Sequence, residues 1–389
     1  MPLIIIHFSQ DFRSDKPQLG GYSRIYNICR DNNLHYIFTL SFIEKSIKVH
    51  ELADNILVVE IPFNKDNFRL RNQIIGISSI SKSILYYIKE KKIKADLFFG
   101  HSQLINFFIL NSVRKDINKN IPFVWEMNAI WGYRETKSYK DKFMLSLLRV
   151  VQAHVLRKST SIILHSNESK KFVSKIYDKE FKKLSVITNA VNSEEIIEEN
   201  MIHTSNKPVK FVCIGFFDEM NGIPMLVRYL KNRAAQIDIS FYGSGQFEKD
   251  VIDLGNEGKL HFGGILKRNE MIQKLRDFDF IIIPRLPHRE ADLFIPTKLL
   301  EAMANGVIPI CSDVKGMTEV VENNVNGIVF KAGNLKAFDD SIDIALTLPP
   351  ETVIAMKQKA RETVLNLYNW ENNHNVLNSL YQSLLNHRK

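Results

Sequence analysis

The stretch from Ile281 to Phe330 sets out groups that could hold an anion beside a sugar diol. Its apolar opening, Phe280-Ile281-Ile282-Ile283, ends on Pro284, as a buried parallel strand does at the carboxyl edge of a sheet. An irregular, charged loop from Arg285 to Phe294 leads to a helix start. Pro296 lies near the first turn, Thr297 is a candidate cap, and Leu299, Leu300, Ala302 and Met303 are spaced to bury one face. A helix N-terminus at such a strand edge aims free N–H groups and a positive dipole at an anion. Glu301, one turn in, can accept both hydrogen bonds of a ribose diol. The unit therefore suits a nucleotide sugar, and a generic βαβ unit with a solvated Glu301 is the competing reading.

Other residues could join this chemistry. Gly20-Gly21 follows a first strand (Pro2 to Phe8) and a polar loop (Ser9 to Leu19) and opens a helix, so a phosphate could approach the backbone without meeting a Cβ. A plain turn explains the same pair. Gly243-Ser244-Gly245 ends a strand but lacks the third glycine of a dinucleotide fingerprint. Asp96 to His101 reads as a buried strand that delivers His101 to a carboxyl edge, where histidines are also often structural. Pro122 to Glu126 is the next strand. Cys29, Cys213 and Cys311 follow no metal-ligand spacing and read as reduced thiols.

Strands each followed by a helical stretch, in two halves, predict an α/β fold of two doubly wound Rossmann-like domains facing across a cleft. The expected division is 1–195, a linker within Ser193 to Pro208, 205–368, and a terminal helix over 369–389 that crosses back. The 389 residues suffice for two cores. No apolar run reaches the roughly 18–20 residues that span a bilayer. Met1 to Ser9 has no basic segment of a secretory signal, so a cytoplasmic protein is expected. Residues 1–190 hold 30 Lys and Arg against 17 Asp and Glu, and the remainder 22 against 26. Such a basic half suits an anionic partner. No nucleic-acid motif accompanies it, so nucleic acid is not expected. An anionic membrane surface or a lipid-diphosphate acceptor fits better, and a solvated basic surface competes. Lys137 to Lys158 predicts an amphipathic helix, with Phe143, Leu147, Leu148, Val151 and Val155 on one stripe and Lys140, Lys142, Arg149, Arg157 and Lys158 supplying positive charge that would suit a membrane surface; packing of the stripe into the core is the preferred reading.

The segment LLEAMANGVIPICSD resembles the donor-site signature of the retaining GT-B glycosyltransferases, the "group 1" or family-four class. Glu301 matches the second glutamate of that family's E-x7-E pattern, while Leu293 stands at the first. SVITNAVN matches the close of the family's N-terminal domain, and Gly243 and Gly245 match its G-x-G. Gly215 and Gly222 match a glycine loop whose Arg and Lys neutralise the donor diphosphate, but Phe216 and Asn221 replace those cations here. Lys298, Arg285, Arg289 and Lys267 are the candidates to compensate. In the loop after Glu126, Asn128 occupies the family's histidine position and Ala129 its aspartate position in another branch.

The resemblance implies a glycosyltransferase that moves a sugar from a nucleotide diphosphate sugar to a glycan or lipid-linked glycan, with retention, in surface polysaccharide synthesis. Implied catalytic residues are His101, Glu126 and Asn128, with Trp131 beside them. The implied donor site is Gly20, Gly21, Gly215, Gly243, Gly245, Arg285, Ile295, Pro296, Thr297, Lys298, Leu299 and Glu301. No metal and no cofactor are implied, and the expected location is peripheral on the inner face of the membrane. The four replaced positions leave open a non-catalytic GT-B partner or chaperone of another glycosyltransferase. A nucleotide-sugar epimerase or phosphorylase shares the architecture as a third class. Oligomeric state has no signature.

Overall fold

The computed structural model describes residues 2–10, 12, 20–63, 73–133, 138–177, 183–196, 209–233 and 237–386. Internal contacts divide the chain into two units. The first is Met1–His165 with Lys170–Ile187 and His374–Lys389; the second is Ser166–Ser169 with Thr188–Asn373. The chain thus changes unit earlier than the expected 195–205. Val191 is bridged to Asn369, its N–H donates to the Tyr368 carbonyl, and its carbonyl accepts from Trp370 N–H, which binds this stretch to the second unit. Most of the expected linker (197–208), most of the loop before Gly20 and the start of the second expected helix (68–72) lie outside the described residues.

In the first unit the strands are β1 (Ile4–Phe8), β2 (Leu34–Ser41), β3 (Lys48–Ala53), β4 (Ile56–Pro62), β5 (Leu97–His101), β6 (Phe123–Glu126), β7 (Ser161–Leu164) and β8 (Leu184–Val186). They form one sheet in the order β3-β4-β2-β1-β5-β6-β7-β8. Continuous apolar runs such as IIIHF and FVWE are buried on both faces, as parallel strands under helices must be. The exception is β3, antiparallel to β4 and unforeseen. It is an edge strand with no buried residue, so its sequence KVHELA carries no apolar run.

The helices are α1 (Gly20–Ile28), α2 (Gln73–Glu90), α3 (Leu104–Asn118), α4 (Tyr139–Lys158) and α5 (Asn167–Ile176). The unforeseen α3 sets Phe107 edge-on to Phe123 and Trp125 beneath β6. In α4 the expected core stripe is divided. Val155 is buried together with Leu145, Gln152 and Leu156, but Phe143 and Leu147 point to solvent. A helix apolar on most sides gives the periodicity no single face to select.

The second unit has six parallel strands, β9 (Lys210–Phe216), β10 (Asp238–Ser244), β11 (His261–Phe262), β12 (Phe280–Ile283), β13 (Ile308–Ser312) and β14 (Ile328–Phe330), in the order β11-β10-β9-β12-β13-β14. Alternation along each strand feeds two cores. Phe211, Cys213, Phe280 and Ile282 enter one, and Val212, Ile281 and Ile283 enter the other. The helices are α6 (Ile223–Asn232), α7 (Glu248–Asn256), α8 (Arg268–Leu275), α9 (Arg289–Leu293), α10 (Thr297–Ala304), α11 (Lys315–Thr318), α12 (Leu335–Thr347) and α13 (Pro350–Leu367). The last, α14 (Trp370–Asn386), starts in the second unit and belongs to the first from His374. The charged loop after Pro284 is not wholly irregular, since His288 caps α9 by accepting from Glu290 N–H.

Candidate functional site

In the second unit the strand order reverses at β9, which pairs with β10 on one side and β12 on the other. A doubly wound sheet binds ligands outside the carboxyl ends of the strands at such a switch point. At the end of β9, Gly215 has φ +117°, and a Cβ there would lie 3.2 Å from the Lys298 ammonium. Gly243 pairs with it across the sheet at φ +145°, where a Cβ would strike the Gly215 carbonyl oxygen at 1.9 Å. These positions need glycine, and they bring bare backbone to the edge. Gly245 follows directly after β10.

Two cations converge on this edge. Lys298, from the first turn of α10, donates through Nζ to the Ile214 carbonyl at 2.8 Å. Arg285 follows β12 by two residues; its Nη1 donates to the Phe294 carbonyl at 3.4 Å, and its buried Nε has no hydrogen-bond partner among the described residues. Among the described residues no carboxylate lies within ion-pair distance of either. Burial, with the like charge of Arg285 adding to it, brings the Lys298 ammonium down to about 8. Burial also lowers Arg285. Both side chains are half-buried, and Asp218 acts on them only from beyond ion-pair distance, so an anion placed between them would relieve two like charges.

The family-type cation positions are filled otherwise. Phe216 is 67 % exposed, and Asn221 closes a turn on Asp218 through its N–H and its side-chain amide. Leu293 is buried in α9. Pro296, rather than Thr297, is the N-cap of α10, and Thr297 is its first residue. The Ile295 and Leu299 side chains are packed in the core, which leaves only their backbones for a ligand. Glu301 is held by Arg268, whose Nε and Nη2 reach its Oε1 at 2.8 and 2.7 Å. The sequence reading missed Arg268, which sits 33 residues before Glu301 and carries no motif of its own. Lys267 is the exposed N-cap of α8 and Arg289 opens α9.

In the first unit, His101 and Glu126 are brought together but are sealed from solvent. They close a chain of contacts along one face of β2, β1, β5 and β6. The chain runs from Asp31 Oδ1 to His35 Nε2 at 2.8 Å, from His35 Nδ1 to His7 Nε2 at 2.8 Å, from His7 Nδ1 to His101 Nε2 at 2.9 Å and from His101 Nδ1 to Glu126 Oε2 at 2.6 Å. Arg24 from α1 donates through Nε to Glu126 Oε1 at 2.6 Å and through Nη2 to the Ile187 carbonyl, and His165 Nε2 lies 3.2 Å from the same Oε1. Burial alone would raise Glu126, yet Arg24, His101 and His165 hold it well below the usual carboxylate range. Asp31 is lowered against its own burial by His35 and Asn33.

Cys29 Sγ, His7 Nε2 and His35 Nδ1 lie within 4.8 Å of one another. His7 and His35 are nonetheless hydrogen-bonded at 2.8 Å, closer than the ~3.3 Å between two nitrogens on one tetrahedral zinc. The trio is part of the chain and not a ligand set. Asn128 is the half-buried member of the expected catalytic group, its amide donating to Ser102 Oγ. Ser102 itself has φ +61°, a strained non-glycine backbone directly after His101. Gly20 and Gly21 are the first two residues of α1. Of Trp131 only the backbone is described, in the short turn Trp131–Tyr133.

This core makes stability depend on pH. Burial lowers His7 well below its ordinary value and brings His165 down to about 4. The unfolded chain therefore takes up protons first as pH falls, and stability is lost on the acid side. His165 alone, falling from about 6.5 unfolded to about 4 folded, should cost roughly 2 kcal/mol between pH 7.5 and pH 5. Urea unfolding at the two pH values measures it; equal stabilities would mean that the imidazoles are not sealed.

Residues 194–363 match the family described as Glycosyl transferases group 1. The amylovoran biosynthesis glycosyltransferase AmsK of Erwinia amylovora is 25% identical over 140 residues, which cover 34% of this chain and 34% of that protein. The putative colanic acid biosynthesis glycosyltransferase WcaL of Escherichia coli is 23% identical over 185 residues, 46% of each chain. The chain thus spans between a third and about half the length of these relatives. A sucrose-phosphate synthase from Thermosynechococcus elongatus superposes with TM-score 0.79 at 16% identity, covering 99% of this chain and 100% of that one. The Anabaena protein HepE, solved with UDP and glucose, gives 0.70 at 15% identity over 97% of this chain and 99% of its own. The chain has the GT-B fold of two Rossmann-like units, and its residues 194–363 match the group 1 glycosyl transferases.

Proposed function

We propose that the protein is a retaining glycosyltransferase that moves a sugar from a nucleoside diphosphate sugar to a glycan or lipid-linked glycan acceptor in surface polysaccharide synthesis. The observation that carries this reading is the pair of half-buried cations, Arg285 and Lys298, at the switch point of the second unit, with no carboxylate in ion-pair distance among the described residues. They stand in for the cations replaced by Phe216 and Asn221, and they would neutralise the donor diphosphate together with the N–H groups of the first turn of α10. Glu301, oriented by Arg268, would take the ribose diol. Glycines 215, 243 and 245 let the donor lie against the backbone.

In the transfer the bond from the sugar's anomeric carbon to the phosphate oxygen breaks. A bond to the acceptor oxygen forms on the same face, and the acceptor proton passes to the leaving diphosphate. Positive charge at the diphosphate stabilises that leaving group. His101 and Glu126 act by position, since both are buried, and Asn128 with Ser102 is the polar pair nearer solvent in the first unit. Neither a metal nor a further cofactor has a part in this reading. The naming of AmsK and WcaL as polysaccharide-biosynthesis enzymes supports the acceptor class.

The test is incubation with UDP-, GDP- and ADP-sugars and detection of free nucleoside diphosphate. Release from one base series supports the reading. Tight nucleotide binding without release in the presence of glycan or lipid-linked acceptors would favour a non-catalytic partner.

A further inference from the structure

The solvent face of α4 does not resemble an ordinary protein surface. The helix is 20 residues long, about 30 Å. Tyr139, Phe143, Leu147 and Val150 fall on one stripe at the i, i+4 and i+3 spacings that align side chains, with Met144 beside it. Tyr139 is 86 %, Phe143 68 % and Val150 69 % exposed, and Leu147 and Met144 are about half exposed. Isolated exposed apolar residues need no explanation, but five on three turns form a patch. The opposite side is already used, since Leu145, Gln152, Val155 and Leu156 are buried.

The stripe is bordered by exposed Lys140, Lys142, Arg157 and Lys158, while Asp141 is the one acid on the helix. Arg149 is otherwise engaged, donating to the Gly132 carbonyl and lying over the Tyr133 ring. The unit as a whole carries the chain's excess of positive charge.

We propose that this face of α4 lies on an anionic phospholipid surface. An apolar stripe with lysine and arginine along its margins is the pattern of a helix in the plane of a membrane interface, where the apolar residues enter the acyl boundary and the cations meet the head groups. A second copy of the chain is the poorer occupant. Two-fold pairing of this face would set one cationic margin against the other. The inference stands apart from the donor reading, because no nucleotide is needed for it.

The test is co-sedimentation of the full chain with vesicles of phosphatidylcholine alone or mixed with phosphatidylglycerol. The wild type should partition at least about tenfold better onto the anionic vesicles, and added salt should reverse that preference. The double variants Phe143→Ser/Val150→Ser and Lys140→Glu/Lys158→Glu should each lose about tenfold or more. They should keep the wild-type melting temperature and nucleotide binding, because all four side chains are exposed. No sedimentation of the wild type, or equal sedimentation of wild type and variants, overturns the proposal. So does a dimer in light scattering that the Phe143→Ser/Val150→Ser change dissolves without any vesicle effect.

Discussion

Replacing Glu126 by Ala should lower the unfolding free energy of the first unit by ~3–5 kcal/mol, the usual cost of removing one partner from a buried charge cluster. The carboxylate accepts from Arg24 Nε at 2.6 Å and pairs with His101 Nδ1 at 2.6 Å, and His165 Nε2 lies 3.2 Å from it. Its loss takes the paired carboxylate away from the buried Arg24 guanidinium and from His101. Glu126→Gln keeps the volume and some of the hydrogen bonding but not the charge, so it should fall between the two. Urea unfolding followed by tryptophan fluorescence is a suitable readout, because Trp125 adjoins the site and is fully buried. A loss below about 1 kcal/mol for the alanine variant would show that the chain is not electrostatically closed as described.

Lys298→Met should separate binding from stability. Loss of a charge-assisted contact to phosphate is worth roughly 1.5–3 kcal/mol, or about 10- to 150-fold in the Kd for a nucleoside diphosphate. The unliganded protein should melt at the same temperature or higher. The methionine fills a similar volume and removes a half-buried, desolvated cation with no carboxylate in ion-pair distance among the described residues, giving up the bond to the Ile214 carbonyl. A residue kept for the fold alone would show the reverse, with stability lost and nucleotide affinity retained.

The sequence makes the second unit more legible than the first. The runs around Val212 and Ile281 mark β9 and β12, and LLEAMANG places Glu301 and Lys298 on the helix after them, because strand, turn and helix there are contiguous in the chain. Arg268 is hidden, since its pairing with Glu301 depends on how β11 and α8 return to the edge. In the first unit, His7 and His35 read as polar interruptions in apolar strands. Their meeting joins residues 28 and 94 positions apart through sheet register, which local patterns do not encode. The strand β3 carries no apolar run because it is an exposed edge, and α4 is apolar on both faces, so its periodicity does not tell which residues are buried. The expected catalytic pair His101 and Glu126 was correctly placed at adjacent strand ends, but whether a side chain at such an end points into the core or out of it depends on the helix above. Here Arg24 of α1 covers it.

Whether Arg285 and Lys298 hold the donor's diphosphate is read from calorimetric titration of wild type and Lys298→Met with a nucleoside diphosphate and with the matching nucleoside. The wild type should prefer the diphosphate by about 100-fold or more, and the variant should lose most of that preference while its nucleoside affinity is unchanged. A preference of the same size in both proteins would contradict it and place the phosphates elsewhere.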